Sequence, residues 1–168
     1  MELERRERIF AELDAWAGSP EGGLPNELFR YLTRLVPMIN VDLLIVDGRL
    51  GTLLTWRDDE NYGPGWHLPG GIIRYKETVE ARVRKTAVTE LEADVEFEPA
   101  PIAIEQVISP TRRERGHFVS LLYRCRLTGP PADRLRLDPA HPRAGQWEWH
   151  RACPADLIPE HDQYRKFI

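Results

Sequence analysis

A glycine pair and the helix that follows it form the part of this sequence best suited to chemistry. Pro69-Gly70-Gly71 predicts a turn in which a backbone carbonyl can approach a ligand closely, because glycine has no side chain. The helix predicted over residues 77–93 carries Glu90, whose carboxylate offers the hard oxygen that Mg²⁺ prefers. A magnesium site made by the Gly70 carbonyl and Glu90 is one interpretation, and a plain surface helix after a turn is the other.

The same helix indicates which of its faces could meet the turn. Thr86, Thr89 and Glu90 lie three and four residues apart and therefore share one face. A different face carries the apolar side chains that recur at four-residue spacing and predict a buried stripe, namely Val79, Val83, Ala87 and Leu91.

Two further features are candidates for a ligand site. Asp42 lies inside the apolar, strand-like run 41–46, where a carboxylate is costly unless it has a partner, so it either points to solvent or marks a polar pocket. The loop 110–116 contains three arginines and is either a solvated tip or a group of cations that attracts a phosphate. The sequence leaves both choices open.

The elements around these residues predict a mixed β-sheet flanked by helices, in the α/β class. Two helices, over residues 2–17 and from Pro25 to Pro37, form an N-terminal extension of residues 1–37 whose apolar stripes we expect to be buried against a neighbour. Residues 38–168 form the main domain. Its predicted strands cover 41–46, 51–56, 102–108, 117–127 and 146–150, and a terminal helix is predicted over 154–168.

Length and composition narrow the classes of protein. A chain of 168 residues with 42% hydrophobic and 30% charged residues is typical of one soluble globular domain. It has no long apolar run and its first residues lack the apolar core of a secretion signal, so we expect a cytoplasmic protein without a membrane partner. The net charge of −4 argues against a nucleic-acid partner. Cys125 and Cys153 lack metal-ligand spacing and predict reduced thiols in the core.

The glycine pair and the helix resemble the signature of the Nudix hydrolases. That signature consists of a glycine, five residues, a glutamate, seven residues, and then Arg-Glu-apolar-x-Glu-Glu-x-Gly-apolar. Gly71 and Glu77 have its spacing, and residues 85–93 occupy its last part. The resemblance covers roughly residues 41–149 and implies a Nudix-type α/β/α sandwich with a mixed β-sheet.

The signature is incomplete in this chain. Thr86 and Thr89 replace two of its three clustered glutamates, while Lys85 replaces the arginine and Glu92 the glycine. Family members that attack phosphorus use the clustered glutamates to hold two or three metal ions. A site reduced to Glu90 and a glycine carbonyl holds one Mg²⁺ but lacks the charge to gather several.

Within the family, the residues are similar to the branch of the GDP-mannose mannosyl hydrolases. In that branch, water attacks the anomeric carbon of the sugar and a nucleoside diphosphate leaves. The resemblance implies Mg²⁺ as cofactor and a nucleotide sugar as substrate. It assigns Asp42 to the nucleobase, Arg57 to the diphosphate or the developing charge, Gly70 and Glu90 to the metal, and the general base to His141.

Two positions depart from that branch. The arginine that follows the glycine pair there is Ile72 here, and Arg74 can reach the same phosphates, because alternate residues of a strand share one side. The carboxylate ligand beside the loop histidine is also missing, and Asp138 or Glu148 is the candidate third metal ligand.

Two alternative functions and one question of assembly remain at this stage. The enzyme could attack phosphorus, as ADP-ribose pyrophosphatases do, with distant residues replacing the missing glutamates. The chain could also be a nucleotide-binding or interaction module that has lost catalysis, since the signature is degenerate. The N-terminal helices, finally, offer a surface for a homodimer.

Overall fold

The computed structural model describes residues 2–59 and 62–168, which contain one eight-stranded mixed sheet with helices on its sides. The α-helices are α1 (Glu2–Ala17), α2 (Asn26–Leu32) and α3 (Val79–Leu91). The strands are β1 (Met38–Asp47), β2 (Gly51–Arg57), β3 (Gly65–His67), β4 (Gly70–Ile72), β5 (Val95–Phe97), β6 (Ala103–Ile108), β7 (His117–Leu127) and β8 (Trp147–His150).

β1 is the central strand and has a different neighbour along each half of one edge. Its first half pairs antiparallel with β4, where Asp42 is opposite Gly70, and its second half pairs antiparallel with β2, where Ile45 is opposite Leu53. The other edge pairs parallel with β7 from Met38–Phe118 onward. β5 and β6 pair with β7, and β3 and β8 pair with β2. β4 and β2 therefore separate beside the middle of β1, where the Leu43 N–H donates to the carbonyl of Pro69.

Alternation along β1 places apolar side chains on both faces of the sheet. Val41, Leu43 and Ile45 pack on one face in a cluster with the buried stripe of α3. Leu44 packs on the other face with a second cluster that includes the fully buried Tyr164 of the C-terminal segment. The sheet is thus covered on both faces, which confirms the predicted α/β/α arrangement.

The N-terminal helices differ from each other in packing. α1 has the predicted bounds, but it buries none of its side chains, and Leu3, Phe10 and Trp16 are at least half exposed. α2 is shorter than predicted and ends at Leu32, and it buries Leu28 against the rest of the chain.

The predicted terminal helix is wrong. Residues 154–168 contain a single 3₁₀ turn, Pro159–Tyr164, instead of an α-helix. Leu157 and Ile158 before it are extended alongside β3, where the backbone N–H of Ile158 donates to the carbonyl of Trp66. Pro159 then favours a new turn at its own position rather than continuation of a helix.

Other predictions agree with the structure. The hairpin, the central helix and the strands near residues 102–108, 117–127 and 146–150 are present within one to three residues of the predicted bounds. Cys125 and Cys153 are both free, the first buried and the second partly buried. Across the described residues, helices with the length and apolarity needed to cross a membrane are absent.

Candidate functional site

A cavity of about 1010 Å³ lies beside β1, where Met38, Asn40 and Asp42 line it. Its lining includes Asp42, Arg57, Gly70, Arg74 and Glu90, so the structure brings five of the six predicted site residues to one place. These residues come from β1, β2, β4, the turn after β4, and α3.

Glu90 is held in place by groups from two strands. Its Oε1 accepts a hydrogen bond from the backbone N–H of Gly70 at 3.2 Å, and its Oε2 lies 3.2 Å from Thr55 Oγ1. Burial raises the pKa of Glu90 from its usual 4.5 to about 7, although these contacts and Arg57 lower it. Without a metal ion, a large fraction of Glu90 is therefore protonated at neutral pH.

His67 explains the direction of the Thr55 hydroxyl. The His67 Nδ1 lies 2.7 Å from the carbonyl oxygen of Leu68, which can only accept, so Nδ1 carries the proton. Burial lowers the pKa of His67 well below its usual value, so the ring is neutral and its Nε2 accepts from Thr55 Oγ1 at 3.0 Å. The same hydroxyl also donates to Glu90 Oε2 at 3.2 Å, and this shared contact lowers the pKa of Glu90.

The Gly70 carbonyl completes the candidate metal position. Gly70 turns its N–H toward Glu90, and the N–H and C=O of one residue in an extended strand point to the same edge. The carbonyl is therefore directed away from β1, to the side on which Glu90 lies. A cluster of three or more His, Cys, Asp or Glu side chains that could hold a metal is absent from residues 2–59 and 62–168. Glu90 and the Gly70 carbonyl are the donors here that could hold one divalent ion, and the number of ions stays a prediction.

Thr86 lies next to the glycine pair. A Cβ added to Gly71 would be 2.5 Å from Thr86 Oγ1, and a Cβ added to Gly70 would be 2.5 Å from Asp42 Oδ1. The Thr86 hydroxyl is buried without a hydrogen-bond partner, at the position where the family signature has a glutamate. It is an unused polar group next to the candidate metal position.

We predict that Gly71→Ala destabilises the protein by about 1–3 kcal/mol, because the added methyl group overlaps Thr86 Oγ1. Chemical denaturation measures the free energy of unfolding. Adding Thr86→Ala to this variant should restore part of the loss, since it removes the overlapping oxygen. Gly129→Ala is the control, because a Cβ there has no neighbour within 4 Å. Equal stability of the Gly71 and Gly129 variants would contradict the packing described.

Asp42 is directed into the protein rather than to solvent. Its Oδ2 accepts hydrogen bonds from Ser120 Oγ and, at 2.7 Å, from Tyr164 OH, while Asn40 Nδ2 donates to Oδ1 at 3.1 Å. Burial raises the pKa of Asp42 from its usual 3.8 to about 6, although these donors lower it. The choice left open by the sequence is thus decided for the polar pocket, and the contact of Asp42 with a nucleobase stays a prediction.

Three arginines surround the ring of Tyr62 at one side of the cavity. The guanidinium carbons of Arg57, Arg112 and Arg115 lie 4.4, 4.0 and 5.6 Å from the ring centroid. The positive charge of Arg57 also lowers the pKa of Glu90, Asp42 and two cavity histidines, which places it near the centre of the site. Arg115 of the loop 110–116 therefore lines the cavity, and Arg112 of the same loop packs on Tyr62 and pairs with Glu160, so neither is at a solvated tip.

Arg74 and Glu77 hold the turn between β4 and α3. The Arg74 guanidinium donates to the carbonyl of Gly22, and Glu77 forms an ion pair with Arg82 at 2.6 Å. Arg74 lines the cavity, but its guanidinium already has this partner, and its contact with a phosphate stays a prediction.

His141 is the predicted site residue that the structure does not bring to the cavity. Its side chain is 82% exposed and lies 3.4 Å from Asp138, although Ala144 and Gly145 of the same loop do line the cavity. The two candidate third ligands make other contacts. Asp138 accepts a hydrogen bond from the backbone N–H of Ala140 in its own loop, and Glu148 is on the exposed side of β8.

His161 lines the cavity and was missed by the sequence analysis. Its Nδ1 accepts from the backbone N–H of Leu68 at 3.1 Å, so the other nitrogen, Nε2, carries the proton. Burial, reinforced by Arg57, lowers the pKa of His161 to about 3, which makes it a hydrogen-bond donor rather than a base. The sequence could not reveal it, because it lies in the segment that was predicted as a terminal helix.

A family model for the NUDIX domain matches residues 36–168. The chain belongs to the NUDIX domain family. A Nudix relative in the solved structures is the MutT NUDIX hydrolase from Burkholderia pseudomallei, with 25% identity, 73% of this chain and 90% of that chain covered, and a TM-score of 0.54. A UDP-X diphosphatase is 14% identical, and the superposition covers 97% of this chain and 75% of that chain with a TM-score of 0.57. At this identity the likeness shows the fold alone.

One curated relative has a name that refers to glycans. The low-salt glycan biosynthesis protein Agl8 of Haloferax volcanii is 30% identical over 82 residues, which are 49% of this chain and 52% of that protein. The chain thus matches about half the length of this relative.

Proposed function

We propose that this Nudix chain is a Mg²⁺-dependent hydrolase of nucleoside diphosphate-linked substrates, and that its substrate is a nucleotide sugar of the GDP-mannose type. The observation that carries the proposal is the position of Glu90. Its buried carboxyl lies beside Gly70 at the cavity, and the nearby Arg57 acts on it at a distance while its own guanidinium pairs with Asp59. A carboxylate in this setting has no cation paired directly with it among the contacts described, so a bound metal ion can neutralise its charge.

Each cavity residue then has a defined task. Glu90 and the Gly70 carbonyl hold Mg²⁺, which neutralises the charge that develops on the leaving diphosphate. Arg57 binds the same diphosphate, and Arg74 contacts it from the β4–α3 turn. His161 Nε2–H donates a hydrogen bond into the cavity, and Asp42 accepts one from the nucleobase.

His141 is retained as the proposed base that takes a proton from water. This role requires that its loop, which already lines the cavity at Ala144 and Gly145, carry the imidazole inward. The sugar part of the proposal is supported by the name of the Agl8 relative, which refers to glycan biosynthesis.

A second candidate is attack on phosphorus, as in a nucleoside diphosphate-X pyrophosphatase. It is favoured by the distance of His141 from the cavity, because attack on the sugar needs a base at the anomeric carbon. A third is a module that binds nucleotides without turnover, which the threonines at positions 86 and 89 favour. A cytoplasmic location, a separate N-terminal extension over residues 1–37 and a homodimer through the exposed side chains of α1 stay predictions.

Hydrolysis in ¹⁸O-labelled water separates these candidates. With Mg²⁺ and GDP-mannose, GDP-glucose or ADP-ribose, we expect the label on the sugar of a GDP-sugar, because water attacks carbon. Mass spectrometry of the products locates it. A label on phosphate would establish the second candidate instead. No turnover, together with a nucleotide-dependent rise in melting temperature, would establish the third.

A further inference from the structure

The floor of the cavity changes from apolar to polar along the strands. Met38, Phe118 and Val107 are register partners across β1, β7 and β6, so their side chains lie side by side on one face. All three line the cavity. They form an apolar row four residues along β1 from Asp42, whose partner Gly70 contacts Glu90, and we call it the apolar end.

The next rows on the same face are polar. Two residues further along, Asn40 is the partner of Ser120, and two residues beyond that Asp42 is opposite Gly70. The step from the apolar row to the row of Gly70 is four residues, or about 13 Å at about 3.3 Å per residue. This span is comparable with an extended nucleoside and its first phosphates.

Residues 20–37 form the roof of the apolar end. Leu24, Phe29, Leu32 and Val36 of this segment line the same cavity as the floor residues. Two contacts fix this roof to the main domain, since Thr33 Oγ1 accepts from the backbone N–H of Arg115 at 3.1 Å and the Gly22 carbonyl accepts from Arg74. The contacts of α1 are different, because it buries none of its side chains.

We propose that the apolar end holds the nucleobase of the substrate between Phe29 of the roof and Phe118 of the floor, so that residues 20–37 are part of the binding site. This inference rests on the proposed function, because it assumes a nucleoside diphosphate-linked substrate. The diphosphate then lies toward Arg57 and Glu90, at the polar end of the same floor. In this arrangement the base is about 13 Å along β1 from Asp42, so it replaces the assignment of the nucleobase to Asp42 made above.

Two observations favour a planar base over an aliphatic chain. The roof and the floor each supply an aromatic ring, and base–aromatic stacking needs only flat faces. In addition, Asn40 Oδ1, in the row next to the apolar end, is buried without a hydrogen-bond partner, while Nδ2 of the same amide donates to Asp42. Such an acceptor suits an N–H group of a base, which an alkyl chain does not have.

The test measures binding of ADP, GDP, UDP and inorganic pyrophosphate to the full chain by calorimetry, with Mg²⁺ present. We expect Phe29→Ala to weaken the tightest-bound nucleotide roughly 5- to 150-fold, which is the loss of one stacking contact, and to leave pyrophosphate binding unchanged. Tyr31→Ala is the matched control, since Tyr31 lies on the same helix, is 49% exposed and does not line the cavity.

Phe118→Leu tests the same contact from the floor, and it should reproduce the selective loss if Phe29→Ala does not fold. The inference is overturned if both variants bind nucleotides as the unaltered chain does, if they lose pyrophosphate equally, or if the unaltered chain binds an alkyl diphosphate more tightly than any nucleotide. A failure of the proposed function gives a different result from a failure of this inference. If it alone is wrong, nucleotides still bind and still depend on Phe29, but no product forms with any of the sugar nucleotides.

Discussion

Glu90→Gln is expected to reduce turnover of a nucleotide substrate by roughly 10²- to 10³-fold, the usual loss when one charged group that stabilises the transition state is removed. The glutamine keeps the shape of the side chain and can accept the Gly70 N–H, but it removes the negative charge that is proposed to hold Mg²⁺. Steady-state kinetics at several Mg²⁺ concentrations measure the effect. The Mg²⁺ concentration needed for half-maximal rate should rise as well.

Glu80→Gln is the matched control for this variant. Glu80 lies on the same helix, is exposed and pairs with Arg84, so its loss should leave turnover within about twofold, as for a surface ion pair. A Glu90 variant with unchanged kinetics and unchanged Mg²⁺ dependence would exclude Glu90 as the metal ligand.

The second large effect concerns stability without metal, which should fall as the pH rises from about 4 to about 7. Asp42 and Glu90 have pKa values of about 6 and about 7 in the folded protein, above their usual 3.8 and 4.5, because both are buried. Between the usual and the raised values, the folded state binds more protons than the unfolded state. The stabilising effect of protonation is therefore complete below the usual pKa and is lost as the pH passes the raised one.

The loss of stability is about 3 kcal/mol for each carboxyl, because one pKa unit corresponds to about 1.36 kcal/mol and each pKa is raised by somewhat more than two units. Denaturation by guanidinium chloride with a chelator, near pH 5 and near pH 8, measures it. Added Mg²⁺ should restore stability near pH 8 by about 2.7 kcal/mol at a hundredfold excess over its dissociation constant, because it binds the ionised form.

The pH effect has its own control. In the double variant Asp42→Asn with Glu90→Gln, both positions are neutral at every pH, so the dependence between pH 4 and 7 should flatten, and the response to Mg²⁺ should disappear. If the unaltered protein without metal were as stable near pH 8 as near pH 5, neither carboxyl would have the raised pKa described.

The features that could be predicted from the sequence are local in the chain. The β1–β2 hairpin follows from two β-prone runs on either side of the turn signal Asp47-Gly48, and α3 follows from its four-residue apolar spacing. Gly70 and Glu90 are only twenty residues apart, on consecutive elements that pack together, and so their contact could be expected.

The features that could not be predicted depend on distant parts of the chain. Two partners of Asp42, Ser120 and Tyr164, are 78 and 122 residues away, and no local pattern connects them to it. His161 enters the cavity because residues 157–158 extend along β3, a pairing that overrides the helix suggested by composition. The exposed position of His141 follows from its own loop, whose path is set by tertiary contacts.

The parallel pairing of β1 with β7 has a consequence for how the site is acquired during folding. Gly70, Glu90 and Arg57 lie within one short stretch of chain, but the row that joins Met38 to Phe118 spans about 80 residues, and contacts of such long separation form slowly. A nascent chain that ends before β7 would contain these three residues and would still lack the floor on which the substrate is proposed to lie. Competence to bind should therefore arise late, together with the closure of the sheet, and should not be recoverable from an N-terminal fragment.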